Sequence, residues 1–218
     1  MRLTKYTHAC VRLEKPGSVL VIDPGTFSEV EDALEGANAF LVTHEHPDHL
    51  DVKRAGAALR ENGSLRVWAP EKVAGQLREA EPGAASRVNV AEPDTEFEAG
   101  GFRVRAFGSQ HALIHPLVPV VANIGYLVDE TVFHPGDSFT VPHGVQVESL
   151  LVPIHAPWNK VSEVIDFIIA VGARRAFPIH NALINERGTG IVEGHAQRIG
   201  AIYGTAYQHL EPGESIEL

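Results

Sequence analysis

The sequence predicts an α/β fold with much sheet. Short apolar runs of four or five residues recur through both halves of the chain. Several of them alternate with stretches whose apolar residues fall at helical spacing. In each half a group of strands comes first and strand–helix–strand units follow, an order that favours mixed sheets with crossover helices.

Residues 1–7, 9–14 and 18–23 read as short strands, with Pro16-Gly17 as the turn between the second and third. Val19-Leu20-Val21-Ile22 is a fully buried strand that stops at Asp23-Pro24-Gly25. Residues 39–43 form the next strand. Asp51 is placed to cap a helix over 52–62, with Ala55, Ala58 and Leu59 on one face and Gly63 as its stop. Residues 66–69 and 87–90 are strands flanking a helix near 71–80. Two longer strands, 102–108 and 123–128, follow, and 131–134 pairs back as a hairpin. Leu150-Leu151-Val152-Pro153 is another buried strand. The strongest helix covers 160–171, where Val161, Val164, Ile165, Ile168 and Ile169 share a face, and Gly172 ends it. Strand 175–179, a helix near 190–202 and short strand-like pieces close the chain.

At 218 residues, with 44% hydrophobic and 21% charged residues, the composition is that of an ordinary globular domain. No apolar run approaches the ~18–20 residues of a membrane span, and the first residues lack an apolar leader, so a cytoplasmic location is expected. The single Cys10 excludes an internal disulfide and a thiolate metal site, and it reads as a small buried hydrophobe. A net charge of −10 argues against broad nucleic-acid binding, which needs a basic surface. A homo-oligomer is compatible with the sequence, which does not specify one.

The most informative stretch is Thr43-His44-Glu45-His46-Pro47-Asp48-His49-Leu50-Asp51, directly after the apolar Ala39-Phe40-Leu41-Val42. Three imidazoles and a carboxylate at the end of a buried strand are unfavourable unless divalent cations compensate them. The pattern also divides into two ligand sets, His44 with His46 and Asp48 with His49. The plainer reading is a solvated loop. Matching residues elsewhere weigh against it: Asp23, His111, Asp137 and His180 all follow apolar strands. Imidazole and carboxylate without thiolate suit Zn, Mn or Fe.

This order of motifs resembles the metallo-β-lactamase superfamily. The resemblance runs over nearly the whole chain: an early strand ending in Asp23, the His-x-His-x-Asp-His run, His111, Gly136-Asp137, and the late His180. It implies one domain over 1–218, a four-layer αββα sandwich with two mixed sheets, and a binuclear hydrolase. By the same resemblance, His44, His46 and His111 hold one ion and Asp48, His49 and His180 the other. Asp137 bridges them, and Asp23 orients the cluster loop from behind. The implied cofactors are two divalent ions, zinc first, manganese or iron next. Water activated between the ions would attack an ester, lactone or phosphodiester of a small molecule, with Asp48 as ligand and acceptor of the nucleophile's hydrogen bond. Within the superfamily the chain is similar to the ascorbate-6-phosphate lactonase group. Thr7-His8-Ala9, Ile22-Asp23-Pro24-Gly25 and Pro178-Ile179-His180-Asn181 carry that similarity.

Further residues are candidates for substrate contact. His8 follows the first strand, and His115 lies four residues after His111. His155, Trp158 and Lys160 sit on the rigid loop Pro153-Ile154-His155-Ala156-Pro157-Trp158-Asn159-Lys160, where Lys160 could bind an anion. The alternative for this loop is a plain helix entry capped by Asn159. His134 reads as a structural hydrogen-bonding residue, while His143, His195 and His209 read as structural or exposed. Arg174-Arg175 reads as solvated. Two other functions compete with hydrolysis of a small molecule. One is a metal-binding scaffold with little turnover, which the full set of seven ligand positions disfavours. The other is nucleic-acid cleavage, which the acidic balance and the missing extra nuclease domain disfavour.

Overall fold

The structure is a computed structural model that describes residues 1–218. The first half contains β1 (Arg2–Lys5), β2 (Val11–Lys15), β3 (Ser18–Ile22), α1 (Val30–Leu34), β4 (Ala39–Leu41), α2 (Val52–Glu61), β5 (Arg66–Ala69), α3 (Glu71–Ala80) and β6 (Val88–Val90). The second contains β7 (Glu96–Ala99), β8 (Phe102–Phe107), β9 (Gly125–Val128), β10 (Val132–His134), β11 (Ser149–Pro153), α4 (Val161–Val171), β12 (Arg175–Ile179), α5 (Glu186–Ile202), β13 (Ala206–Tyr207) and β14 (Ser215–Glu217).

The strands form two seven-stranded mixed sheets, ordered β14-β1-β2-β3-β4-β5-β6 and β13-β12-β11-β10-β9-β8-β7. Each begins as an antiparallel meander and continues as parallel strands joined by crossovers. The last strand, β14, crosses back to pair with β1 of the first sheet.

Three apolar clusters define the layers. One lies between the sheets and takes Leu20 and Ile22 from β3, Tyr126 and Val128 from β9, and Phe177 and Ile179 from β12. The intervening residues face outward. Val21 packs with Ala55, Leu59, Val73 and Leu77 of α2 and α3, and Leu127 and Ala176 pack with Val164, Phe167 and Ile168 of α4. Alternate residues of one strand therefore feed two different cores, as the period of two requires for a sheet covered on both faces. The result is helices, sheet, sheet, helices, the four-layer arrangement expected from the motif order.

Most elements fall where the sequence places them. Asp51 caps α2, its side chain accepting from Arg54 N at 3.0 Å, but the helix ends at Glu61 with Asn62 as C-cap, ahead of Gly63. The capping residue of α4 is Lys160 rather than Asn159: the Lys160 N–H donates to the Glu163 side chain at 2.9 Å. Asn159 instead braces the preceding loop, accepting from Ala156 N and donating to Pro153 O. The last helix begins at Glu186, four residues before the expected start. Gly188, Thr189 and Gly190 weaken the helical signal there, and the Asn185 cap, which accepts from Gly188 N at 3.0 Å, offsets them. The short α1 and β7 were not expected from periodicity.

Several polar residues of interest sit at one end of the parallel strands. Asp23 follows β3, His44 follows β4, Asp137 follows β10, His155 follows β11 and His180 follows β12. No helix is long and apolar enough to cross a membrane.

Candidate metal centre

The loop after β3 organises the loop after β4. Asp23 is fully buried and adopts a left-handed backbone (φ 54°). Its carboxylate accepts three hydrogen bonds of 2.7 Å each, from Thr43 N, Thr43 Oγ1 and His49 Nδ1. Gly25 lies flat against the same loop. A Cβ at this position would overlap the Asp48 carbonyl and approach His49 N to 2.6 Å. Gly25→Ala is therefore expected to push Asp48 and His49 outward. We expect at least about tenfold weaker metal binding and a lowered melting temperature, read by chelator competition and thermal denaturation.

Four buried histidines share one arrangement. Each commits Nδ1–H to an oxygen: His44 to Thr43 Oγ1 at 3.0 Å, His49 to Asp23 Oδ2 at 2.7 Å, His111 to Ala112 O at 2.6 Å and His180 to His155 O at 2.6 Å. Thr43 Oγ1 can accept because its own proton goes to Asp23. These acceptors fix the tautomer of each ring in its neutral form, which leaves Nε2 as a lone pair in all four.

Those lone pairs converge on Asp137. Its Oδ1 lies 3.0 Å from His49 Nε2, and its Oδ2 lies 3.0, 3.3 and 4.0 Å from Nε2 of His180, His111 and His44. His46 turns Nδ1 to within 3.0 Å of His44 Nε2. Two groups result, His44, His46, His111 and Asp137 in one, and His8, Asp48, His49 and His180 in the other. Within each, the ligand atoms lie within 4.8 Å of one another.

The donor set fits divalent cations. His49 Nε2, His111 Nε2, His180 Nε2 and Asp137 Oδ1 are buried and have no hydrogen-bond partner. Lone pairs pressed against a carboxylate repel unless protons or cations lie between them, and buried polar atoms rarely go unpartnered without such a reason. The second partner on each Nδ1 is the support that metal-binding imidazoles characteristically have.

Burial raises the Asp137 carboxyl, but the imidazoles of His49 and His180 outweigh it and hold the group well below the usual carboxylate range. Burial likewise works against a charge on His49, yet Asp137 and Asp23 on either side raise it well above the ordinary imidazole value. Asp48 is brought to about 2: burial raises it, while the His8 hydrogen bond and the His49 charge lower it further. Burial lowers His8 to about 4, His44 well below the ordinary value, and His46 and His134 more modestly.

These directions fix the acid response of the metal-free protein. The unfolded chain protonates its imidazoles near the ordinary value of about 6.5, and the folded chain refuses protons at His8, His44, His46 and His134. The unfolded state then binds more protons, so stability falls as pH drops from about 6.5 towards 4. His49 and His209, each held above the ordinary imidazole value by neighbouring carboxylates, oppose this, but they are outnumbered by the four lowered imidazoles. Asp48 and Asp137 add a further loss below about pH 4. Urea denaturation of metal-free protein at pH 7 and pH 5 is expected to show the lower midpoint at pH 5.

Not every candidate residue reaches the centre. His115 is exposed on an irregular segment rather than a helical turn, its Nδ1 accepting from Leu117 N. Lys160 is exposed, with Nζ 3.7 Å from Glu163. His155 contributes its carbonyl to His180, and Trp158 donates its indole N–H to Asp137 Oδ2 at 3.1 Å. His134 braces the Asp137 turn, donating from Nε2 to Ala9 O and accepting from Gly136 N at Nδ1. Sequence reasoning missed Asn123, whose side chain accepts from Asp137 N and donates to Pro135 O. It also missed the left-handed backbones of His8, Asp23 and His180 (φ 67°, 54° and 58°). Non-glycine residues in that region cluster at sites whose surroundings over-determine them.

Residues 2–180 match the beta-lactamase superfamily domain. The chain belongs to the metallo-β-lactamase superfamily. It is similar to protein Rv0786c of Mycobacterium tuberculosis, 40% identical over 99% of this chain and 98% of that one. A UPF0173 protein of Pyrococcus furiosus is 32% identical over 85% of this chain and 86% of its own length. A UPF0173 metal-dependent hydrolase of Chelativorans is 26% identical over the full length of both. Among solved structures, Igni18, a metallo hydrolase of Ignicoccus hospitalis, superposes with a TM-score of 0.73 at 16% identity over 99% of this chain and 97% of that one. CmlA, a diiron beta-hydroxylase of Streptomyces venezuelae, reaches 0.76 at 15% identity, covering all of this chain and 54% of that one. This fold thus hosts more than one chemistry, and the site has to decide among them.

Proposed function

We propose that this chain is a binuclear metal-dependent hydrolase of a small-molecule ester, lactone or phosphodiester. The supporting observation is the pair of ligand groups that meet at Asp137 with their buried lone pairs unpartnered. In this reading His44, His46 and His111 hold one divalent ion, Asp48, His49 and His180 the second, and Asp137 serves both. Zinc suits the imidazole-rich set best, and manganese or iron are also accommodated. When bound, such a pair supplies an activated water near neutral pH and polarises the substrate oxygen.

The chain's own residues do the positioning. Asp23 holds His49 and the cluster loop in place, and Asn123, Trp158 and Ala112 fix Asp137. Asp48 is partly exposed, so it can accept a hydrogen bond from the nucleophilic water. The charge around the centre favours a carbonyl over a phosphodiester. Lys72 is paired with Glu45 at 2.6 Å, and Lys160 lies beside Glu163, so neither is a free anion clamp. The residue-level similarity to lactonases keeps a lactone among the candidate substrates.

The test is turnover of a generic ester, a lactone and bis(p-nitrophenyl) phosphate by zinc-, manganese- and iron-loaded protein. Metal-dependent cleavage, abolished by a chelator and restored by added metal, supports the reading. No turnover by fully loaded protein on an extended panel contradicts it.

A further inference from the structure

His8 differs from the other histidines of the centre. Its Nδ1 accepts a hydrogen bond from the Ala182 N–H at 3.3 Å, so the proton of the neutral ring resides on Nε2. Nε2 lies 3.1 Å from Asp48 Oδ2 and donates to it. His44, His49, His111 and His180 carry the opposite tautomer and present Nε2 as a lone pair. By distance His8 belongs to the second ligand group, but the side it turns to that group is a donor.

We propose that His8 is a positioning residue rather than a metal ligand: it holds the Asp48 carboxylate in place through its Nε2 proton and couples that carboxylate to the His180 loop. The proposal rests on the binuclear reading above. Three further contacts place His8 between the two loops. Its carbonyl accepts from His180 N at 3.0 Å. Its ring lies against that of His180, with centroids 4.0 Å apart, and Phe27 closes its other side edge-on at 5.2 Å. The residue is fully buried on a left-handed backbone (φ 67°), an orientation the β1–β2 connection and Ala182 together hold. With Oδ2 engaged by His8, Asp48 has Oδ1 free for a cation or for the attacking water. Sequence placed His8 near the centre but gave no means of telling donor from ligand, because that depends on which backbone group meets Nδ1.

The experiment compares His8→Gln, whose amide N–H can still donate to Asp48, with His8→Phe, which keeps a ring but no donor. Zinc affinity is measured by chelator competition, and folding of each metal-free variant by thermal denaturation. Long-range ¹H–¹⁵N spectra of the wild-type protein, with and without zinc, report the tautomer. We expect His8→Phe to weaken the more labile zinc by about 10–100-fold and to lower kcat more than it changes KM. We expect His8→Gln to restore most of both. The spectra should show a protonated Nε2 in both states. A ligand role would appear as equal losses in the two variants and an Nε2 that loses its proton on zinc loading; that result overturns the proposal. So does wild-type zinc affinity in a folded His8→Phe protein. If wild-type protein binds no zinc, the binuclear reading fails first and the proposal with it.

Discussion

Asp137→Asn is expected to lower turnover on the best substrate by at least about 10³-fold, roughly 4 kcal/mol of transition-state stabilisation. Asp137 is the one carboxylate with an oxygen within 4.0 Å of Nε2 of His44, His49, His111 and His180. An amide removes the negative charge that, in the proposed reading, would serve both cations. Its NH₂ would also donate to one of the Nε2 lone pairs and occupy a ligand atom. Metal content should fall with activity. Trp158→Phe provides the scale, since it deletes only the indole bond to Asp137. We expect it to cost no more than about tenfold, the range of a single supporting hydrogen bond. Steady-state kinetics with elemental analysis checks both. Asp137→Asn within tenfold of wild type would place the reaction elsewhere.

Asp23→Ala should be the most destabilising single change in the centre. It strips the acceptor from Thr43 N, Thr43 Oγ1 and His49 Nδ1, all buried. An orphaned buried donor costs about 1–3 kcal/mol. The sum over three donors, about 3–9 kcal/mol, is a large share of the ~5–15 kcal/mol that holds a domain folded. The loss should be larger in metal-loaded than in metal-free protein, because His49 also loses its orientation as a ligand. Asp23→Asn keeps one acceptor and should fall between. Urea denaturation of each form measures this, and a loss below about 1 kcal/mol in both would remove Asp23 from the organising role given to it.

The sequence was most informative where a local pattern dictates structure. The alternation in Val19-Leu20-Val21-Ile22 divides two cores between successive residues, and Asp51 caps α2. The His-x-His-x-Asp-His run concentrates imidazoles and a carboxylate in one loop, so its place in a candidate site was legible before any fold was known. Features set by tertiary contact were not legible. The start of α5 depends on Asn185 offsetting a glycine-rich turn. Asn123 bears on Asp137 only because β9 and β10 pair. The left-handed backbone of His180 and the donor tautomer of His8 depend on hydrogen bonds between segments over 170 residues apart. His115 shows the opposite failure: a four-residue spacing suggests a shared helical face, but the Pro-interrupted segment 111–121 forms no helix.

The central claim is that the two ligand groups hold two ions that meet at Asp137. Elemental analysis of zinc-reconstituted, dialysed protein, beside His46→Ala treated in the same way, tests it most directly. The account expects about two equivalents per chain in the wild type and a clear drop in the variant, which loses one donor from the first group. Fewer than one equivalent in folded wild-type protein under zinc, manganese and iron reconstitution alike would contradict it.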